Sequence, residues 1–225
     1  MPSRHYGDQV SRLHYTAIVV PTLDYRLYHW INELAERHRW LGDTAAALES
    51  WSIPLFAAAT VALWLLARPG AERKWKLACG SALAAAALAL LANQTVAHFW
   101  SRARPYAAHQ DATVFSARSH DPSFPSDHAS AAFAIAVAVF LFDRLVGGIF
   151  ILAASSIAAG RVVTGVHYPA DVVAGVLVGT AAALVVVRLG RPLIDRIVRV
   201  VERMTDPGLA LLWRLAPTAR KSATD

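Results

Sequence analysis

Five stretches of this chain are apolar with almost no interruption, at residues 52–67, 77–99, 126–142, 145–159 and 170–187. A helix crossing a bilayer needs ~20 residues, so the shorter stretches are expected to extend into their polar flanks. Two further segments are periodic instead. Leu23, Leu27, Trp30, Ile31 and Leu34 recur at helical spacing opposite Arg26, Glu33 and Arg37, which predicts an amphipathic helix with Thr22 or Asp24 as its cap. Leu193, Ile194, Ile197, Val198 and Val201 form a second stripe, opposite a basic row of Arg196, Arg199 and Arg203. The pattern predicts an all-α fold: a polytopic transmembrane helix bundle of about five spans, with an amphipathic N-terminal helix and a C-terminal interfacial helix.

Composition sharpens this picture. The 225 residues are 56% hydrophobic and only 17% charged, as expected for one membrane-embedded domain over 1–225. Its core is expected at about 77–187, between an N-terminal amphipathic region at 22–42 and a C-terminal basic one at 191–225. Met1–Val20 lacks a basic head followed by an apolar core, so the spans themselves are expected to direct insertion. Cys79 is the single cysteine, which excludes an intrachain disulfide or a cysteine metal site.

The formal charge of +6 raises nucleic acid as a partner, but its distribution argues for lipid. Arg68, Arg73, Lys74 and Lys76 follow the first span, Arg144 follows the third, and eight basic residues run from Arg188 to Lys221. These segments share one side, which the positive-inside rule makes cytoplasmic. The longest polar connection, 101–125, then lies outside. Arg4, Arg12, Arg26, Arg37 and Arg39 would lie outside as well, against the same rule.

That outer side collects the chemistry. Arg161, His167 and Asp171 combine a guanidinium fork for an oxyanion, a nucleophilic imidazole and a carboxylate to orient it. The His167–Asp171 spacing fits one face of a helix with Pro169 in its first turn. Pro125 and Ser126 read as a helix start, where free amides and the helix dipole attract anions, with His128 in the first turn. Alone, that segment reads better as an ordinary capped helix with a chance histidine. Arg102-Ala103-Arg104-Pro105 stands at the outer end of the second span, and alone reads as an interfacial basic cluster. Asn93 and Gln94 read as interhelical hydrogen bonders, and His98 and His109 as interfacial.

In this order the three motifs (Arg104-Pro105; Pro125-Ser126-x-His128; Arg161-x5-His167-x3-Asp171) resemble the type 2 phosphatidic acid phosphatase superfamily. The resemblance implies that His167 is a nucleophile forming a phosphohistidine, and that Asp171 orients it. It implies that Arg104, Arg161 and Ser126, with amides near Asp127, bind phosphate, and that His128 is the proton donor. No metal or cofactor is implied.

Two departures stand out. Many members carry a lysine where this chain has Ala97, which leaves Arg102, His98 or Arg118 as replacements, Arg102 first. Asp127 replaces a usual glycine. With the run 119–128, these departures resemble the polyprenyl-diphosphate phosphatase branch that recycles the bacterial wall-lipid carrier. The implied reaction is hydrolysis of undecaprenyl or a related polyprenyl diphosphate, at the outer face of the cell membrane. The implied partners are that substrate and membrane lipids, not nucleic acid. The motifs read phosphate only, so phosphatidylglycerophosphate, phosphatidate, a lipid A phosphate or a non-catalytic lipid-binding role remain alternatives.

Overall fold

A computed structural model describes residues 22–67 and 73–215. Met1–Val20, with Arg4 and Arg12, lie outside the described residues, as do Arg68, Arg220 and Lys221. The described residues form eight helices and no strand: α1 (Thr22–Arg37), α2 (Arg39–Leu66), α3 (Arg73–Phe99), α4 (Pro105–Ala108), α5 (Asp127–Phe142), α6 (Arg144–Val163), α7 (Pro169–Arg188) and α8 (Arg191–Leu215). Four of them, α2, α3, α6 and α7, are long and apolar enough to cross a membrane.

The third predicted span differs from the other four. At 16 residues α5 is only ~24 Å long. Its N-terminus is fixed by the extended segment ending at Ser126, and its C-terminus by Asp143, which caps α6 at once by accepting from the amides of Leu145 and Val146. α5 sits in the middle of the bundle, packed most heavily on α7, α6 and α3. Alanine makes this possible: Ala129, Ala132, Ala134, Ala136 and Ala138 are fully buried, so backbones approach closely. On the facing helix, Gly175 and Gly179 complete the seam. A Cβ at Gly179 would lie 2.3 Å from the Ser130 carbonyl oxygen, and one at Gly175 2.7 Å from that of Ser126.

The two amphipathic helices place their apolar stripes differently. On α1 the predicted apolar stripe faces outward, with Leu23, Leu27, Trp30 and Leu34 exposed. The buried face instead carries Asp24, Tyr28, Asn32 and Ala35. Asp24 is no cap; its carboxylate reaches Arg102 and the Ala170 amide. A helix lying on a bilayer turns its apolar side to lipid, which leaves polar residues to meet the protein. On α8 the stripe divides, with Ile194 and Val198 buried and Leu193, Ile197 and Val201 exposed.

The basic segments do share one end of the bundle. Lys74 pairs with Asp143 at 2.8 Å, Arg73 with Asp195 at 2.9 Å, and the buried Lys76 with Asp206 at 2.5 Å. Part of the predicted basic row is neutralised there, because Arg199 pairs with Asp195. The opposite end holds the C-terminus of α3, the connection 100–126, and the N-termini of α5 and α7.

The α5–α7 seam is testable. Gly179→Val should destabilise the protein by about 1–3 kcal/mol, as overpacking does, and lower its thermal midpoint in detergent. Gly148→Ala, where no atom lies within 4 Å of the new Cβ, should leave that midpoint unchanged or slightly raised. Equal midpoints for the two variants would refute the close seam.

Candidate active site

The turn between α6 and α7 positions the central imidazole. α6 ends at Val163, and Gly165 then takes φ +80°, a left-handed conformation that disfavours side chains. A Cβ there would also stand 2.2 Å from the Thr113 carbonyl oxygen. The amides of Val166 and His167 fold back onto the Arg161 carbonyl at 3.3 and 3.2 Å, so the chain delivers His167 beside the end of α6. α7 begins only at Pro169. His167 therefore precedes the helix instead of sharing a helical face with Asp171, which lies in its first turn.

His167 is buried and its two ring nitrogens have different surroundings. Nδ1 lies 2.8 Å from the Ser123 carbonyl oxygen and 3.6 Å from the Asp171 carboxylate. The carbonyl is the closer acceptor, so it takes the Nδ1 proton and leaves Nε2 with its lone pair. Nε2 lies 3.3 Å from Nη1 of Arg104. Burial, reinforced by the charges of Arg161 and Arg104 and opposed by Asp171, pushes the imidazole pKa down from 6.5 to about 4. The ring is neutral at neutral pH, the form that can attack phosphorus.

Asp171 is the hub of a buried network. One oxygen accepts from the Ser123 hydroxyl at 2.5 Å and the Tyr168 amide at 2.9 Å, and the other from Arg102 at 2.6 Å. The second terminal nitrogen of Arg102 donates to Asp24 of α1 at 2.7 Å, and the Tyr168 ring lies 4.0 Å from the guanidinium carbon. Arg102, first choice for the missing phosphate-binding cation, is thus committed to two carboxylates. Of the other replacements, Arg118 stands over the Tyr106 ring, and His98 is exposed against Phe99.

The remaining predicted residues gather around His167. Arg104 donates from Nε to the Asp121 carbonyl at 2.9 Å and from Nη1 to that of Val166 at 3.2 Å. Arg161 pairs with Glu49 of α2, which also accepts from the hydroxyls of Ser116 at 2.8 Å and Thr164 at 3.2 Å. Its Nε is buried without a partner, as is the hydroxyl of Ser126. Ser126 ends its segment ahead of α5 but its hydroxyl forms no cap bond. Asp127 turns toward α3 and accepts from Asn93 at 2.7 Å, so its side chain faces away from an anion while its helix end remains available. His128 lines a cavity of about 370 Å³ with Glu49, Phe115 and Ser116, within electrostatic reach of Arg161, His167 and Arg104.

Three participants escaped the sequence reading: Ser123, Asp24 and Glu49. Glu49 left a faint signal, as a lone carboxylate one turn before the first predicted span. Asn93 behaves as expected, and His109 stacks on Tyr25 with ring centres 4.1 Å apart.

Residues 77–194 match the PAP2 superfamily. The undecaprenyl-diphosphatase BcrC of Bacillus subtilis (strain 168) is 27% identical over 183 residues, covering 80% of this chain and 92% of that protein. The bacitracin transport permease protein BcrC of Bacillus licheniformis is 29% identical over 159 residues, covering 71% of this chain and 76% of that one. In fold, the crystal structure of Aquifex aeolicus LpxE superposes with a TM-score of 0.55 at 23% identity, over 74% of this chain and 95% of that one. With the match spanning more than half of its length, the chain belongs to the PAP2 superfamily, as a multi-pass membrane phosphatase.

Proposed function

We propose that the protein hydrolyses undecaprenyl diphosphate, or a related polyprenyl diphosphate, to the monophosphate and phosphate. On this reading it recycles the wall-lipid carrier at the outer face of the cell membrane, with the whole chain acting as one domain. The observation that carries the chemistry is the His167 ring, with Nδ1 held by the Ser123 carbonyl and the Nε2 lone pair facing Nη1 of Arg104 at 3.3 Å. The choice of lipid is supported by the relative named undecaprenyl-diphosphatase, which aligns over most of both chains.

In the mechanism, Nε2 of His167 attacks the terminal phosphorus while Arg104, Arg161, the Ser126 hydroxyl and the first amides of α5 hold its oxygens. The bond to the bridging oxygen breaks, and His128, which takes up a proton from solvent against the charge of the bound diphosphate, gives that proton to the oxygen as the lipid monophosphate leaves. Water then attacks the phosphorus of the phosphohistidine, His128 takes the proton, and phosphate departs with His167 restored. Asp171 acts through charge: it steadies the imidazole as positive charge develops, and Arg102 and Asp24 hold it in place.

Purified protein in detergent with EDTA should release phosphate from polyprenyl diphosphate in preference to phosphatidate and phosphatidylglycerophosphate. His167→Ala should abolish release while keeping the thermal midpoint. Preference for a glycerophospholipid would overturn the substrate, and turnover by folded His167→Ala would overturn the mechanism.

The depressed His167 pKa fixes a sign for the pH profile. Neutral imidazole persists until pH falls through about 4, so the acid limb of kcat/KM, corrected for substrate ionisation, should lie below pH 5. An acid limb near 6.5 would contradict the buried ring. Stability follows the same sign, because the folded pKa is below the unfolded one: the contribution is present above 6.5 and lost as pH falls toward 4.

Asp24→Asn removes one of the two carboxylates on Arg102 without touching substrate. The expected result is a kcat lower by up to ~100-fold with KM nearly unchanged. An unaltered kcat would detach α1 from catalysis.

A further inference from the structure

Glu49 is the one acidic side chain of α2 that enters the site, and no step of the reaction uses it. Its carboxylate is surrounded by donors: Arg161 and Ser116 on Oε1, and Thr164 on Oε2. A guanidinium with two hydroxyls is the donor set of a phosphate seat, here filled by an anion of the chain itself. Arg161 engages Glu49 through Nη1 alone, and its Nε stays buried without a partner, while Glu49 itself lines the cavity with His128. The carboxylate therefore holds the guanidinium incompletely, whereas a phosphate can take two parallel bonds from one fork.

Two more observations concern the helix that carries Glu49. Pro54 removes the backbone bond that would close on the Ser50 carbonyl, and the Ser52 hydroxyl bonds back to the Glu49 carbonyl at 2.7 Å. α2 is also the least buried of the four spanning helices. Its backbone is thus weakest within a turn of Glu49. The side chain itself separates two spaces, an apolar groove of about 210 Å³ between α2 and α6 and the cavity of about 370 Å³ with His128.

We propose that Glu49 is a displaceable resident anion, which occupies the Arg161 seat while the site is empty and leaves it when the phosphate of the substrate enters. The proposal rests on the reading of Arg161 as a phosphate ligand. Between turnovers Glu49 keeps a guanidinium at membrane depth neutralised, which an empty seat would not. On binding, the phosphate takes over Nη1 and the unpartnered Nε, and the freed carboxylate turns into the polar part of the cavity beside Ser50. Only hydrogen bonds and an ion pair are exchanged.

A resident competitor lowers apparent affinity by the fraction of sites it leaves open. Its removal should therefore tighten phosphate-analogue binding on the order of tenfold, if about nine sites in ten are occupied by Glu49. The probe is orthovanadate, measured as a competitive inhibitor of full-length protein in detergent. Glu49→Gln keeps acceptors for Ser116 and Thr164 and should lower the orthovanadate KI and the substrate KM together. Glu49→Ala should do the same, with thermal midpoints reporting that each variant is folded. A KI that is unchanged or higher in folded Glu49→Gln would overturn the proposal and make Glu49 a fixed support for Arg161. Arg161→Gln is the separate control. If it leaves orthovanadate inhibition intact, Arg161 is not a phosphate ligand, and the underlying reading fails along with the proposal.

Discussion

The site end of the bundle is organised around keeping one buried guanidinium charged. Arg102 is 4% exposed, and an unpaired cation at such a position costs several kcal/mol. Its compensation comes from Asp24 and Asp171, one on each terminal nitrogen, with Tyr168 across its face. Each partner is then fixed in turn. The second oxygen of Asp24 takes the Ala170 amide, and that of Asp171 takes Ser123 and the Tyr168 amide. One charge thereby ties α1, the connection 100–126 and the start of α7 into a unit. The Ser123 carbonyl that orients His167 belongs to this unit, and the Ser123 amide closes on the Arg102 carbonyl at 2.8 Å.

The two ends of the bundle solve the same electrostatic problem differently. At the far end, Arg73, Lys74 and Lys76 meet Asp195, Glu202, Asp206 and Asp143, and Lys76 is buried with its charge answered. Those pairs join α3 to α8 and to the α5–α6 turn, and they account for a structural role. At the site end, the hydroxyls of Ser126 and Tyr168, Nε of Arg102 and of Arg161, and Nε2 of His109 remain buried without partners. Buried polar groups are otherwise satisfied in folded proteins, and on the proposed function the donors of Arg161 and Ser126 are the ones a phosphate would complete.

Much of this was legible in the sequence, for a physical reason. Arg104, Ser126, His128, Arg161, His167 and Asp171 stand at the ends of apolar runs, where charge is costly without a task, and the fold does bring them to one end. Their spacing also follows from local turns, since Gly165 and Pro169 set the path from Arg161 to Asp171 within ten residues. Asp24 and Glu49 were not legible, because each acts across more than seventy residues of chain, and periodicity carries no information about such pairings. The apolar stripe of α1 left its neighbour open for a related reason. An apolar stripe marks the side that avoids water, and lipid satisfies it as well as a protein core does. Arg102 was misassigned because the sequence shows a cation near the site but not the carboxylates that claim it.

Charge balance separates the three arginines by task. Arg102 has two carboxylates and is spent on structure. Arg161 has one, supplied by Glu49, through a single nitrogen. Arg104 has none among the described residues; its partners are the carbonyls of Asp121 and Val166 and the His167 ring. Carbonyl dipoles orient a guanidinium without cancelling its charge, so the uncompensated positive charge is greatest beside Nε2 of His167. On the proposed function, an incoming phosphate is attracted most strongly to the point where its phosphorus would meet that nitrogen. On that same proposal, the gradient from Arg102 through Arg161 to Arg104 would align the substrate before any bond is made, which is how a preorganised site lowers a barrier without moving during the reaction.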